Sequence, residues 1–174
     1  AASGTNTLTV NGSTSAIYSG IIQNGATAGV ALTKSGSSTL TLTGANSYGG
    51  ITQVTGGVLN IQNNTGLGTT AGGTSVSSGV ALQLQGGLTV GAEALSLAGT
   101  GIANDGALRN ISGNNSFAGA ITLSGAGVRI NSDTAAQALT MTGGITGTGV
   151  PLTVGGAGNS VVSTLGINTD GGGT

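Results

Sequence analysis

The sequence predicts an all-β chain wound as a β-solenoid, and three observations carry that prediction. Short runs alternating apolar and small polar residues recur along the whole length, with Gly-rich turns between them. The candidates for an interior are nearly all Leu, Ile, Val and Ala, since aromatic residues make up only 2% of the 174 residues. A degenerate motif also returns along the chain, the mark of a repeat architecture.

The alternating runs are TLTV (7–10), TLTLT (39–43), GVLNI (57–61), VALQLQ (80–85), LTV (88–90), LSL (95–97), AITL (120–123), VRI (128–130), ALTM (138–141) and PLTV (151–154). Turn signals such as Asn11-Gly12, Gly49-Gly50, Gly56-Gly57, Gly86-Gly87, Asp105-Gly106 and Gly143-Gly144 separate them. Helical patterning is almost absent, because Gly and Thr recur every few residues and neither favours a helix interior. The exception is GAEALSLAG (91–99), whose LSL core reads equally well as strand.

Strands this short suit a sandwich, a barrel or a solenoid. A sandwich or small barrel of this length would close its core with more large side chains. Small aliphatic residues fit a narrow coil, in which each turn stacks on the last at about 4.8 Å. Turns of roughly 20 to 25 residues would give roughly seven or eight coils.

In the motif itself, Gly44, Asn46, Ser47, Tyr48 and Gly50 correspond to Gly113, Asn115, Ser116, Phe117 and Gly119 at a constant offset of 69. Ala120 then adds one residue, and Ile51-Thr52 meets Ile121-Thr122. A weaker echo, IYSGII (17–22), puts Tyr18 in the aromatic slot, so all three aromatic residues occupy one motif position. The reading is one domain over 1–174 with degenerate repeats near 11–31, 32–68 and 101–131. Gly44, Asn46, Tyr48, Gly50, Gly113, Asn115, Phe117, Gly119 and Tyr18 are its structural positions.

Composition excludes several functions. The seven charged residues, Lys34, Glu93, Asp105, Arg109, Arg129, Asp133 and Asp170, are scattered, and net charge is −1. No basic patch exists to hold phosphates, so nucleic acid is not expected as a partner. Cysteine and histidine are absent, which removes disulfides, thiolate chemistry and the usual zinc ligand sets. No apolar run approaches the roughly 20 residues of a membrane-spanning helix. The opening AASGTNTLTV lacks the charged and apolar regions of a signal peptide, so an exported protein would be represented here by a mature chain or an excised segment.

Catalytic chemistry finds little support. Carboxylate catalysis needs convergent acids, and the one pairing to consider is Asp105 with Asp133, near Arg109 or Arg129. The expectation is that each is a lone solvated loop charge. Lys34 would be the only base for a nucleophile, and it falls within the repeat. VGGAGNS (154–160) has the glycines of a calcium β-roll with Asn where the acid should be. A lone site at Asp105 or Asp170 is the alternative, and four acids rule out an array. Thr39, Thr41 and Thr43 share a strand face, as do Thr140 and Thr142, but the pairs keep no fixed period, which argues against an ice-binding face. No enzyme activity, cofactor or metal is expected.

A resemblance adds to this. LTKSGSSTLTLTGANSYGGITQVTGGVLNI (32–61) resembles the passenger-associated transport repeat of bacterial autotransporters. The positions that match are Leu32, Thr33, Lys34, Gly36, Leu40, Leu42, Gly44, Asn46, Tyr48, Gly50, Thr52, Val54, Gly57 and Leu59. GLGTTAGGTSVSSGVALQL (66–84) resembles the phrase that follows it in the family. The resemblance implies a right-handed parallel β-helix exported to the outer surface of a Gram-negative bacterium, joined in the full protein to an outer-membrane translocator barrel. No such barrel and no terminal cap is recognisable, so a piece of something longer, or a unit of a polymer, is expected. The expected role is structural: a stalk, spacer or fibre subunit whose partner is itself, by end-to-end stacking or covalent continuation. The alternative is an adhesin for a receptor or glycan, which would need its aromatics gathered on a surface; a polysaccharide-active enzyme or an ice-binding solenoid is further off.

Overall fold

The computed structural model describes residues 4–162 and 165–169. Strands β1 (Thr5–Val10) and β2 (Ala16–Tyr18) form the first coil, β3 (Gly29–Lys34) and β4 (Thr39–Leu42) the second, β5 (Thr52–Val54) and β6 (Val58–Ile61) the third. From the fourth coil a third side also becomes strand. That coil holds β7 (Thr74–Val76), β8 (Ala81–Gln85) and β9 (Thr89–Val90), and the fifth holds β10 (Leu95–Gly99), β11 (Leu108–Ser112) and β12 (Asn115–Phe117). The sixth consists of β13 (Ile121–Ser132) and β14 (Ala138–Met141), the seventh of β15 (Ile145–Thr146), β16 (Leu152–Gly155) and β17 (Asn159–Val162), and β18 (Ile167–Asn168) opens an eighth.

Every pairing is parallel, and strands pair across coils rather than within one. One side runs β1-β3-β5-β7-β10-β13-β15-β18, the second β2-β4-β6-β8-β11-β13-β16, the third β9-β12-β14-β17. Strand β13 belongs to two sides because Gly125, at φ +83°, lets one strand turn the corner. It takes in 121–123 and 128–130, parts of two runs that the alternation reads separately.

Along the first side Thr5 lies beside Gly29, Leu32 beside Thr52, Thr52 beside Thr74 and Thr74 beside Leu95. Leu95 then lies beside Ile121, Ile121 beside Ile145 and Ile145 beside Ile167. Coil lengths are therefore 24, 20, 22, 21, 26, 24 and 22 residues. The longest includes the Gly99–Gly106 loop, which holds a single 3-10 turn at Ile102–Asn104. The chain is thus a parallel β-solenoid of about seven turns, and the segment 91–99 is strand, not helix. Parallel connections of this kind wind right-handed as a rule.

Stacking aligns like with like. On the second side Leu40, Leu59, Leu82, Leu108 and Ile130 form one buried column. Burial of each such side chain stabilises the coil by about 1.5–3 kcal/mol. The 69-residue offset of the motif spans three coils: Tyr48 closes the second and Phe117 the fifth.

Candidate functional site

The repeat-motif residues are buried fasteners between coils. Asn46 accepts the Ile22 backbone N–H on Oδ1 at 2.9 Å and donates from Nδ2 to the Gly66 carbonyl at 2.8 Å. It therefore ties the first, second and third coils together. Asn115 repeats the accepting half, taking the Leu88 N–H at 2.6 Å. Its amide nitrogen turns to its own coil, to the Ser112 carbonyl at 2.9 Å and to Asn110 Oδ1. Both side chains are buried, where an unpaired amide would be costly.

The motif glycines stand where one coil's backbone crosses the last. A Cβ on Gly44 would run into the Gly20 carbonyl, one on Gly50 into Val30, one on Gly113 into Gly87, and one on Gly119 into Glu93. Any side chain there would push the coils apart.

The aromatic slot needs one correction. Tyr48 and Phe117 are fully buried, and the Tyr48 hydroxyl meets Thr52 Oγ1 at 2.6 Å. Tyr18 does not share their position: it lies on β2 beside Leu42 and is 45% exposed. The IYSGII echo therefore places its tyrosine on a different side of the coil. The aromatics do not gather on any one surface.

Lys34 is buried in the inward column between Val10 and Val54. Its Nζ donates to the carbonyls of Gly36 at 2.5 Å and Gly56 at 3.0 Å. Burial pulls its pKa below the ordinary lysine value. The repeat lysine thus ties two coils at a corner.

The scattered acids are also corrected. Asp105 and Asp133 are not lone loop charges: Arg109 pairs with Asp105 at 3.4 Å and donates from Nε to Asp133 at 3.1 Å. Asn131 donates to the other Asp133 oxygen at 2.6 Å and accepts from Arg129 at 3.1 Å. Sequence distance hid this, because Arg109 and Asn131 are register partners one coil apart. An arginine clamped between the two acids makes the cluster an ion-paired surface patch. Asp170 lies outside the described residues. The threonine pairs fall on different sides, Thr39 and Thr41 on β4 and Thr140 on β14.

Sequence reasoning missed Glu93, which is buried with its Oε1 accepting from Thr74 Oγ1 at 2.8 Å. The available signal was an acid set between two alanines in a nearly uncharged chain.

The two ends carry most of the exposed large apolar residues; between them, among the described residues, Ile51 and Ile102 are exposed as well. Leu8, Ile17, Tyr18 and Ile21 at one end and Val154, Val161, Leu165 and Ile167 at the other are exposed large apolar residues. At the first end Leu8, Val10, Tyr18, Ile22, Leu40 and Leu42 line an open groove of about 340 Å³. These columns continue inward as buried core: Leu8 lies beside Leu32, and Tyr18 beside Leu42. Among the described residues β1 pairs only with β3 and β2 only with β4, so one edge of each strand is open.

Comparison with known proteins gives one family: residues 32–61 match the passenger-associated-transport-repeat model. No match was found among curated proteins or among solved structures.

Proposed function

With a passenger-associated transport repeat at residues 32–61 as the premise, we propose that this β-solenoid is a non-catalytic structural segment of an exported bacterial surface protein, a stalk or fibre unit. In the full-length protein it is joined to an outer-membrane translocator barrel and displayed outside the cell. The observation that supports this reading is the distribution of exposed apolar surface. Eight of the ten exposed large apolar residues among the described residues lie at the two ends, Ile51 and Ile102 being the others, and Leu8, Tyr18, Val154 and Ile167 continue interior columns. An open strand edge over an open core is a template for another strand. The occupant we assign is a further coil of the same geometry, which a second copy supplies when the chain stands alone.

Sedimentation velocity tests this. The chain should associate in proportion to concentration, and Leu8→Lys with Tyr18→Lys should return it to monomer without loss of the β signal. A chain that stays monomeric at high concentration, with or without those substitutions, would overturn the assignment. The aromatic distribution gives an adhesin no support: Tyr48 and Phe117 are core, and Tyr18 belongs to the open end.

A further inference from the structure

The third sheet ends at β9, and the coil before it makes turns instead of a strand. Gly66 N–H bonds the Asn63 carbonyl and Gly68 N–H the Thr65 carbonyl, both at 2.9 Å. The Asn64 side chain accepts the Thr89 N–H at 2.8 Å, doing the work of a backbone carbonyl in a regular ladder. This interruption leaves a cleft of about 290 Å³. Its lining includes Ser47, Asn64, Thr65, Thr69 and Thr70 beside the apolar Leu67 and Val90, and Glu93 lines it as well.

Glu93 is the buried carboxyl among the described residues, 2% exposed. Thr74 supplies the hydrogen bond to one of its oxygens. Both ion pairs found among the described residues belong to Arg109, so neither supplies Glu93 with a cation. The titratable group facing it is Tyr48, whose phenol its charge disfavours from ionising. Behind it runs the backbone of Gly119, which carries no charge. A buried carboxylate without a counter-ion is unfavourable, and a cleft at its door is where a counter-ion could sit.

We propose that this cleft binds a small primary ammonium group, with the Glu93 carboxylate as its counter-ion and the surrounding hydroxyls as acceptors. An ammonium offers three donors on a compact charge, which suits one carboxylate in a cleft whose lining includes serine, threonine and asparagine. A calcium ion is the poorer fit, because it draws on six to eight oxygens, often from several carboxylates. No group of three or more acids lies together among the described residues. An anion is disfavoured by Glu93 itself. The volume is near the lower end of ligand pockets, roughly 300–1,000 Å³, so the ligand is small. Burial raises the Glu93 pKa, with the Thr74 hydrogen bond opposing, so binding weakens as pH falls and the carboxyl takes its proton.

The test uses the whole chain and ethanolamine as the probe, with ethylene glycol as its uncharged counterpart and calcium chloride as the competing cation, followed through amide chemical shifts. Ethanolamine should give saturable shifts at Thr69, Thr70 and Gly91 near neutral pH, and these should weaken in acid. Affinity should fall at least tenfold in Glu93→Gln, an isostere that keeps an oxygen for Thr74. Saturation by ethylene glycol, saturation by calcium instead of ethanolamine, or no saturable shift with the wild-type chain would each overturn the proposal. The association of the ends is unaffected by any of these outcomes, so the two readings fail separately.

Discussion

The Ile22 backbone N–H donates to Asn46 Oδ1 across 24 residues of sequence and one step of the coil. A polar side chain here takes over the part of a ladder carbonyl, inside the wall where the third side has not yet become strand. Asn46→Ala removes this acceptor and the donor to Gly66 together, leaving two buried backbone groups unpaired. The expected loss is about 2–3 kcal/mol, read as a fall in thermal midpoint of roughly 4–10 °C.

Gly50 is irreplaceable for a different reason. A Cβ there meets the Val30 carbonyl, whereas at Gly29 the nearest atom is the Thr5 hydroxyl at 3.5 Å. Gly50→Ala should cost about 1–3 kcal/mol by forcing backbone apart. Gly29→Ala should be neutral or slightly stabilising, since a less flexible unfolded chain loses less on folding. Urea unfolding of the two variants side by side makes the comparison.

Tyr48 sets an alkaline limit. Its pKa is pushed up to about 12, first by burial and then by the Glu93 charge, with the Thr52 hydrogen bond opposing. The unfolded phenol titrates near 10, so the folded state holds its proton more tightly. That stability is complete below about pH 10 and lost as pH rises toward 12, about 2–3 kcal/mol in all. Tyr48→Phe, the residue that fills the equivalent slot at Phe117, should abolish this loss at the cost of one hydrogen bond, about 1 kcal/mol. Stability measured against pH from 8 to roughly 12 in both proteins decides the point.

Lys34 works in the opposite direction. Its folded pKa lies below the unfolded value, so the folded state releases its proton first. Stability therefore rises with pH as the amine discharges and is fully gained above the unfolded pKa of about 10.4. Lys34→Met should flatten that rise below the unfolded pKa of about 10.4, a difference visible in denaturation midpoints followed up to that pH.

Arg109 holds Asp105 and Asp133 at the surface, its side chain and that of Asp133 each 21% exposed. Arg109→Ala should cost only about 0.5–1 kcal/mol, and the difference should shrink in 1 M salt because exposed pairs are screened. An effect that survives salt undiminished would place the value of Arg109 in packing.

Much of the fold was legible because a solenoid writes its inward residues at period 2. Each alternating run falls on a strand, from Thr39–Leu42 to Leu152–Gly155. Strands such as Thr74–Val76 and Ile145–Thr146 escaped, being too short for alternation to show. The motif glycines and asparagines were legible as a pattern, while their roles were not, since each role depends on the neighbouring coil. Coil lengths vary between 20 and 26 residues. The IYSGII echo matched residue types without the coil register, and so put Tyr18 in the slot of Tyr48 when its register partner is Leu42. For the same reason Arg109 and Asp133 looked remote, though the coil sets them in contact. Glu93 had only its setting between two alanines as a signal, because a lone acid carries no period.

The most direct measurement of the central claim is electron microscopy of the purified chain, with its mass determined under denaturing conditions. The account predicts filaments one solenoid wide that dissociate into subunits of 16.1 kDa, and single particles when Leu8 and Tyr18 are both replaced by lysine. Wild-type particles that remain single at every concentration would contradict it, because two open ends would then have no use for another coil.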